Sequence, residues 1–378
     1  MQEWSFDRLK ENVIDTQLCI YCGQCIAVCS TGCIAFKENG PALDGECTAC
    51  GQCIEACPGL GAPLKNLDLQ VFGREKTNDE EKKGLGIYIS DRNLVGTNNE
   101  IREKGYTGGK LTAVLAYLLE INEIDAAIVS QWGSASPYPW VSWPMIAKTR
   151  DDVIKGAGSK YVFSPNLMAL AEAADRTDIT SIAVVGLGCH IQGLRKLAHV
   201  GGPCTDLVKK VKYAFGLYCG APMVSREDFL AYIADINGVS PMDIAAVDFR
   251  RVSKEFDISF DVDLTNGEKK VKQFNIMHLF EILGRYPRWN RCRFCTDYAS
   301  EYADVSFGGV HVTCRTEKGE DLINRAVADG WLAPAEPDES AEQGAQIVDQ
   351  NMARIKKVKN VERIRKYLNQ AKPVPSYD

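Results

Sequence analysis

The chain lacks any long hydrophobic run. No apolar stretch in its 378 residues reaches the roughly 18 needed to cross a bilayer, so no membrane span is expected. It also lacks an excess of basic charge. Its 44 Lys and Arg face 50 Asp and Glu, for a net charge of −6, which argues against nucleic acid as the main partner. The first residues, MQEWSFDRLKENV, are charged and have no apolar core of a secretory signal. A cytoplasmic setting is therefore expected, with peripheral attachment to a membrane complex left open. The remaining composition, 45% hydrophobic and 25% charged, is that of an ordinary soluble globular protein. The length suggests about two or three domains.

Cysteine, by contrast, is abundant, with fifteen in the chain. Eight of these fall in two tandem runs, Cys19-x2-Cys22-x2-Cys25-x3-Cys29 and Cys47-x2-Cys50-x2-Cys53-x3-Cys57, the second followed by Pro58. A disulfide framework would need a small secreted chain. Zinc is satisfied by four ligands, usually as two separated pairs. The repeated run resembles a bacterial two-cluster ferredoxin, in which three thiolates grip one 4Fe-4S cube and the fourth cysteine serves the other. On that pattern Cys19, Cys22, Cys25 and Cys57 hold one cluster, and Cys47, Cys50, Cys53 and Cys29 the other. Ser30 stands where a ferredoxin usually has proline. Cys33 reads as a small packed residue beside its cluster. Such clusters mostly carry single electrons, so the chain belongs to a redox system.

The expected layout is a two-cluster module at 1–66, a polar linker at 67–85, a mixed α/β domain at 86–335 and a helical extension at 336–378. The fold class is thus α+β to α/β. In the third segment Leu111, Val114, Leu115, Leu118 and Leu119 make one helical stripe. Strands are predicted over 125–130, 181–186 and 213–217, and Ser164 or Asn166 is placed to cap a helix running to 174. Residues 258–264 alternate with period two, and Asn266-Gly267 then predicts a hairpin into 270–274. The polar tail over 340–372 has a helical pattern; packing is its first reading and partner contact its second.

Six cysteines lie beyond the runs and outside the module: Cys189, Cys204, Cys219, Cys292, Cys295 and Cys314. Cys292-x2-Cys295 has ligand spacing, and Cys189 and Cys219 each follow a predicted strand, where the loops of an α/β sheet converge. From spacing alone, a third cluster on these four stands level with buried structural thiols or a zinc site. Cys204 and Cys314 are expected to pack. The stretch IAVVGLGCHIQGLRKL imitates a dinucleotide fingerprint, but its third glycine, Gly193, comes two places late and Cys189 stands where a pyrophosphate would approach. A better cofactor loop is Thr107-Gly108-Gly109-Lys110-Leu111-Thr112, after Tyr106, where two glycines open a helix. A plain tight turn explains it equally well. Gly158-Ser159-Lys160-Tyr161 is a second short loop with a cation and an aromatic ring. His190, His199 and His278 read as packing or surface residues.

Together these pieces resemble the coenzyme F420 hydrogenase/dehydrogenase beta-subunit family, carrying an N-terminal two-cluster ferredoxin domain. The resemblance runs through residues 106–113, 158–161 and 185–194, then Gly216-Leu217-Tyr218-Cys219 and Cys292-Arg293-Phe294-Cys295-Thr296-Asp297. It continues through residues 303–309 and 315–320. It implies FAD, coenzyme F420 as substrate, and a third 4Fe-4S cluster on Cys189, Cys219, Cys292 and Cys295. It also implies a flavin pocket built from Thr107, Gly108, Gly109, Lys110, Thr112, Ser159, Lys160, Tyr161 and Thr296. The sequence departs from the family pattern at Leu187-Gly188, Lys110 and Gly308-Gly309-Val310-His311, which bears on the substrate more than on the fold.

The implied activity is hydride exchange between F420 and FAD, with single electrons passing through the clusters. Asp297 and His311 are the candidates for handling a proton. The implied partner is a redox protein or complex of the membrane-bound dehydrogenase, heterodisulfide reductase, hydrogenase or formate dehydrogenase type. Two other classes stay open: an electron relay with no substrate site of its own, and an NAD(P)H- or pigment-linked reductase on the same scaffold.

Overall fold

A computed structural model describes residues 4–37, 40–105, 107–133, 142–220, 226–251, 257–275, 290–309, 311–335 and 339–377. Tyr106, His278 and Val310 lie outside these residues. Among the described residues the chain forms thirteen strands. They are β1 (Ile34–Lys37), β2 (Gly40–Leu43), β3 (Ser90–Gly96), β4 (Ala126–Trp132), β5 (Ser142–Ala147), β6 (Ile182–Leu187), β7 (Val211–Leu217), β8 (Ile244–Arg251), β9 (Asp257–Leu264), β10 (Lys269–Asn275), β11 (Val305–Gly308), β12 (His311–Cys314) and β13 (Leu332–Pro334). The largest sheet has eight strands in the order β13-β3-β12-β11-β7-β6-β4-β5. Strands β4, β6, β7 and β11 are mutually parallel. β3 shares their direction, because it is antiparallel to β12, which is antiparallel to β11. Five carboxyl ends therefore open on one edge, where ligands of α/β sheets collect.

The parallel strands read as continuous apolar runs because both faces are covered. Ile182, Ala183 and Val184 are at most 1% exposed. The helix Lys110–Glu120 covers one face with Ala113, Val114, Leu115 and Leu118, much as its stripe predicts. The inserted hairpin is present: β9 pairs with β10 across Asn266-Gly267, and the Asn266 side chain accepts from the Glu268 amide. Two expectations change. The stretch 67–85, read as a linker or surface wrap, is helical over much of its length. It carries most of the helix Leu64–Phe72 and all of Asn78–Lys83, the latter started by a Thr77–Glu80 capping box. Lys76 between them is buried on Asp68 (2.5 Å) and the Tyr302 hydroxyl (2.7 Å). Neither Ser164 nor Asn166 caps the following helix. Asn166 instead donates to the Val185 carbonyl of β6 at 3.0 Å and accepts from Ser164, because its side chain is buried where a strand acceptor is at hand.

The helix Gly188–Val200 joins the sheet to the N-terminal module. Gly193, the misplaced third glycine, faces that module: a Cβ there would stand 2.5 Å from Gln24 Oε1 and 3.0 Å from Pro58 Cγ. Gln24 donates to the Gly193 carbonyl at 3.1 Å, and Lys196 donates to the carbonyls of Cys57 and Gly61 at 2.8 and 2.9 Å.

Candidate functional site: three groups of cysteines

The two N-terminal runs fold as matching loop-helix units, Gln24–Ala27 and Gln52–Glu55, each entered through a left-handed glycine, Gly23 and Gly51. Their cysteines ring two cavities. Cys19, Cys22, Cys25 and Cys57 line one, walled by Val13, Ile20 and Pro58. Cys29, Cys47, Cys50 and Cys53 line the other, with Cys33 at its edge. Each lining combines three cysteines of one run with the last cysteine of the other. Cys33 packs beside Cys29, sulfur to sulfur at 3.4 Å. Among the described residues no three Cys, His, Asp or Glu side chains close on a point for a single ion. Cysteines around a cavity suit a cube, whose ligands stand farther apart than those of zinc. Burial, aided by Cys57, pushes the Cys19 thiol up to about 12, so iron would have to supply the positive charge that favours the thiolate.

The second gathering is at the sheet's carboxyl edge. Cys189 opens the helix after β6, and Cys219 follows β7, the neighbouring strand. Cys292 lies in the short helix Asn290–Phe294, and Cys295 follows it. The four are close enough that Cys295, Cys219 and Cys292 all act on the Cys189 thiol, which burial first of all drives well up. Asp297 fastens this loop. It is buried, it accepts from Gln192 at 3.2 Å and from the Glu301 amide, and it packs where a side chain on Gly188 would stand. Thr296 beside it is buried as well.

The C-terminal helix Glu339–Leu368 covers the same loop. Lys356 donates to the carbonyls of Cys219 (2.8 Å) and Asp297 (2.6 Å). Asn360 donates to the carbonyl of Cys295 at 2.6 Å, and Arg363 to that of Arg293 at 2.8 Å. Nothing in the polar tail sequence singles out these three side chains, because their acceptors are backbone atoms some 60 to 140 positions away.

The glycine loop lies at the same edge. Gly108 and Gly109 have φ of 77° and 66°, and Gly109 starts the helix Lys110–Glu120 without a side-chain cap. Their lack of a side chain serves the chain's own packing: a Cβ on Gly108 would meet Val95 Cγ1 at 2.7 Å, and one on Gly109 would strike the Ile101 carbonyl. Buried Lys110 donates to the Thr107 carbonyl and hydroxyl at 3.1 and 3.2 Å and to the Gly309 carbonyl. Thr112, two residues further along the helix, is buried. Two residues past Gly309, His311 is paired with Asp91 at 3.1 Å and stands 3.4 Å from Asp349. Burial alone would lower its pKa; the Asp91 hydrogen bond and the Asp91 and Asp349 charges outweigh that and raise it. Lys160 is farther along. Its ammonium donates to the carbonyls of Gly156, Ala157 and Gly158 after the helix Arg150–Lys155, and burial lowers its pKa to about 8 against the pull of Asp248. Ser159 and Tyr161 flank it, both partly buried. The edge thus brings together Thr107 to Lys110, His311, Thr296, Asp297 and the second gathering of cysteines.

The chain is similar to known proteins over most of its length. Residues 179–340 match the C-terminal model of the family described as "Coenzyme F420 hydrogenase/dehydrogenase, beta subunit", and residues 95–171 match its N-terminal model. Residues 11–58 match a 4Fe-4S dicluster domain. The chain is 31% identical to a coenzyme F420-dependent sulfite reductase of Methanocaldococcus jannaschii over 86% of this chain, but it spans only 48% of that protein's length. It is 28% identical to a coenzyme F420 hydrogenase subunit beta of Methanothermobacter thermautotrophicus, covering 72% of this chain and 92% of the relative. The structure superposes on a chain of the F420-reducing [NiFe] hydrogenase complex from Methanosarcina barkeri with a TM-score of 0.61 at 26% identity, covering 77% and 97% of the two chains. No helix among the described residues is long and apolar enough to cross a membrane. With both halves of the family matched in order around the cysteine-bearing edge, and a dicluster domain before them, the chain belongs to the coenzyme F420 hydrogenase/dehydrogenase beta-subunit family.

Proposed function

We propose that this chain is an iron–sulfur flavoprotein subunit through which coenzyme F420 exchanges electrons with a redox partner. The observation that carries the reading is the gathering of Cys189, Cys219, Cys292 and Cys295 at the sheet's carboxyl edge, with one helix leading from Cys189 to the ferredoxin module. A deazaflavin gives up electrons as a hydride, whereas 4Fe-4S cubes take them singly. FAD, when bound, supplies the conversion between the two. On this reading the chain holds three cubes: two in the module at 1–66 and the third on the four edge cysteines.

The chain's own residues have separate tasks. The uncapped N-terminus of Lys110–Glu120, with the Lys110 ammonium beside it, has the donor chemistry for a flavin phosphate, and Thr107, Gly108, Gly109 and Thr112 complete that loop. Ser159, Lys160, Tyr161 and Thr296 are the further pocket candidates. His311, held by Asp91, takes up or releases a proton at the same edge. Asp297, engaged by Gln192 and the Glu301 amide, acts as a positioning residue. The partner is a hydrogenase, formate dehydrogenase, heterodisulfide reductase or membrane-bound dehydrogenase, met in the cytoplasm or at a membrane surface. The relatives' names support an F420-linked partner of this kind.

The test is anaerobic absorbance of FAD-supplemented protein as reduced F420 is added, with NADH as control. Bleaching of the flavin and cluster bands with growth of the oxidised deazaflavin band is expected. Bleaching by NADH alone would replace the assignment with a nicotinamide reductase. One observation favours a pure relay: Gly108 and Gly109 are needed by the chain's own packing. Absence of flavin from gently purified protein, with no response to either donor, would support that second reading. Iron analysis tests the third cube, with about twelve irons per chain expected, falling to about eight in Cys219→Ser.

A further inference from the structure

Arg291 precedes Cys292, yet its side chain leaves the edge loop and enters the ferredoxin module. It is 1% exposed, among the largest fully buried side chains of the protein. Its Nη2 donates to the carbonyl of Pro58, next to Cys57, at 3.2 Å. Its Nη1 donates to the Tyr377 hydroxyl at 2.5 Å. That hydroxyl donates in turn to the carbonyl of Phe294, between Cys292 and Cys295, at 3.1 Å. The guanidinium also lies over the Tyr377 ring at 5.4 Å. The segment carrying Tyr377 is fixed by Ser376, whose amide donates to the Leu60 carbonyl at 2.8 Å and which bridges to Gly61. The side chain therefore stands between two groups of cysteines, and its charge acts on Cys57 on one side and on Cys189 and Cys295 on the other.

Two features of this placement are unusual. Among the described residues the hydrogen bonds of Arg291 go to a hydroxyl and a carbonyl and not to a carboxylate, although a buried cation is costly unless an anion compensates it. Its Nε is buried and has no acceptor among the described residues. Two thiolate-ligated cubes would answer both, each being anionic and rich in sulfur acceptors. Net charge and hydrogen bonds to sulfur are two of the means by which a protein sets a cluster's potential.

We propose that Arg291 is the electrostatic bridge between the edge cluster and the nearer ferredoxin cluster, raising the reduction potentials of both together. This rests on the proposed third cluster. The step it serves moves one electron: the edge cube is oxidised by one, the Cys19/Cys22/Cys25/Cys57 cube is reduced by one, and no bond or proton changes. A fixed cation between the two stabilises the extra electron on either side, so the transfer needs no counter-charge to move. The electron comes from the hydride donor, or from dithionite in the test. The charge of Lys356 acts on the edge group and that of Lys196 on Cys57; of the three, the charge of Arg291 acts on both.

The test is an EPR-monitored redox titration of the anaerobically purified, cluster-loaded full chain, with iron counted in each sample. In Arg291→Met, two of the three midpoints are expected to move negative together, while the cluster of Cys29, Cys47, Cys50 and Cys53 stays in place as internal control. Arg291→Lys, which keeps the charge, should restore most of that shift. Arg291→Gln, which keeps a donor for the Pro58 carbonyl, is the second neutral variant should methionine cost iron. Unmoved midpoints in an iron-replete neutral variant overturn the proposal, as does movement of one cluster alone or a lysine variant that behaves like methionine. A wild-type protein with about eight irons overturns the third-cluster reading instead, and so fails distinguishably.

Discussion

Replacing Gly193 with alanine sets helix propensity against packing, and the structure says which should win. The residue lies inside the helix Gly188–Val200, where alanine is favoured over glycine by about 1 kcal/mol. The new Cβ would stand 2.5 Å from Gln24 Oε1, 3.0 Å from Pro58 Cγ and 3.3 Å from Leu167 Cδ1. A glutamine can usually swing aside, but Gln24 is fully buried and its amide is pinned to the carbonyls of Ala56 (2.6 Å) and Gly193 (3.1 Å). Overpacking costs about 1–3 kcal/mol. Losing one or both of Gln24's bonds adds about 1–3 kcal/mol. Net of propensity, Gly193→Ala should destabilise the junction by about 1–5 kcal/mol. The assay is anaerobic thermal unfolding of the cluster-loaded protein, read in a double-mutant cycle with Gln24→Ala, because a multidomain holoprotein is not strictly two-state. Gln24→Ala should relieve part of the loss. A neutral or stabilised Gly193→Ala, or no coupling to Gln24, would refute the reasoning.

Other perturbations have equally definite outcomes. Arg315 is buried and donates to Ser306 Oγ and to the carbonyls of Leu85, Ile87 and Ala299, so Arg315→Lys should orphan at least one acceptor, cost about 1–3 kcal/mol and lower the melting temperature. His311 has a raised folded pKa, so its pairing with Asp91 stabilises fully below its unfolded value of about 6.5 and fades as pH rises through the folded value. Stability of His311→Gln against pH should lack that loss. Glu123 behaves oppositely: although burial opposes it, Arg325, the Tyr213 hydroxyl and Lys212 lower its pKa to about 2. Its stabilisation is present above the unfolded value and is lost as pH falls toward about 2, so Glu123→Gln should flatten the acid limb of denaturation. Lys356→Met leaves the Cys219 and Asp297 carbonyls without their donor, and iron analysis should show selective loss of the edge cluster with the ferredoxin pair retained.

The sequence determined the features that have a short period or a fixed spacing. The two cysteine runs are legible as spacing alone, and the ferredoxin pattern they resemble implies the crossed grouping; each cavity is lined by three cysteines of one run and the last of the other. The apolar runs of β4, β6 and β7, the stripe of Lys110–Glu120 and the Asn266-Gly267 hairpin are local patterns of the same kind. Cys189 and Cys219 were legible as strand-end residues. That they adjoin Cys292 and Cys295 depended on β6 and β7 being neighbours and on the chain returning after an inserted sheet.

Tertiary structure alone decided the rest, because the decisive bonds join side chains to distant backbone. Lys356 and Asn360 look like solvent-facing residues of a polar helix until the carbonyls of the edge loop are placed beneath them. Gly193 looks like a failed fingerprint until the ferredoxin module is seated against it. Arg291 sits beside a cysteine in sequence, but the Pro58 carbonyl lies 233 positions away and Tyr377 lies 86. Burial turns these charged and small residues from surface filler into the connection between cysteine groups, and burial belongs to the fold rather than to any window of sequence.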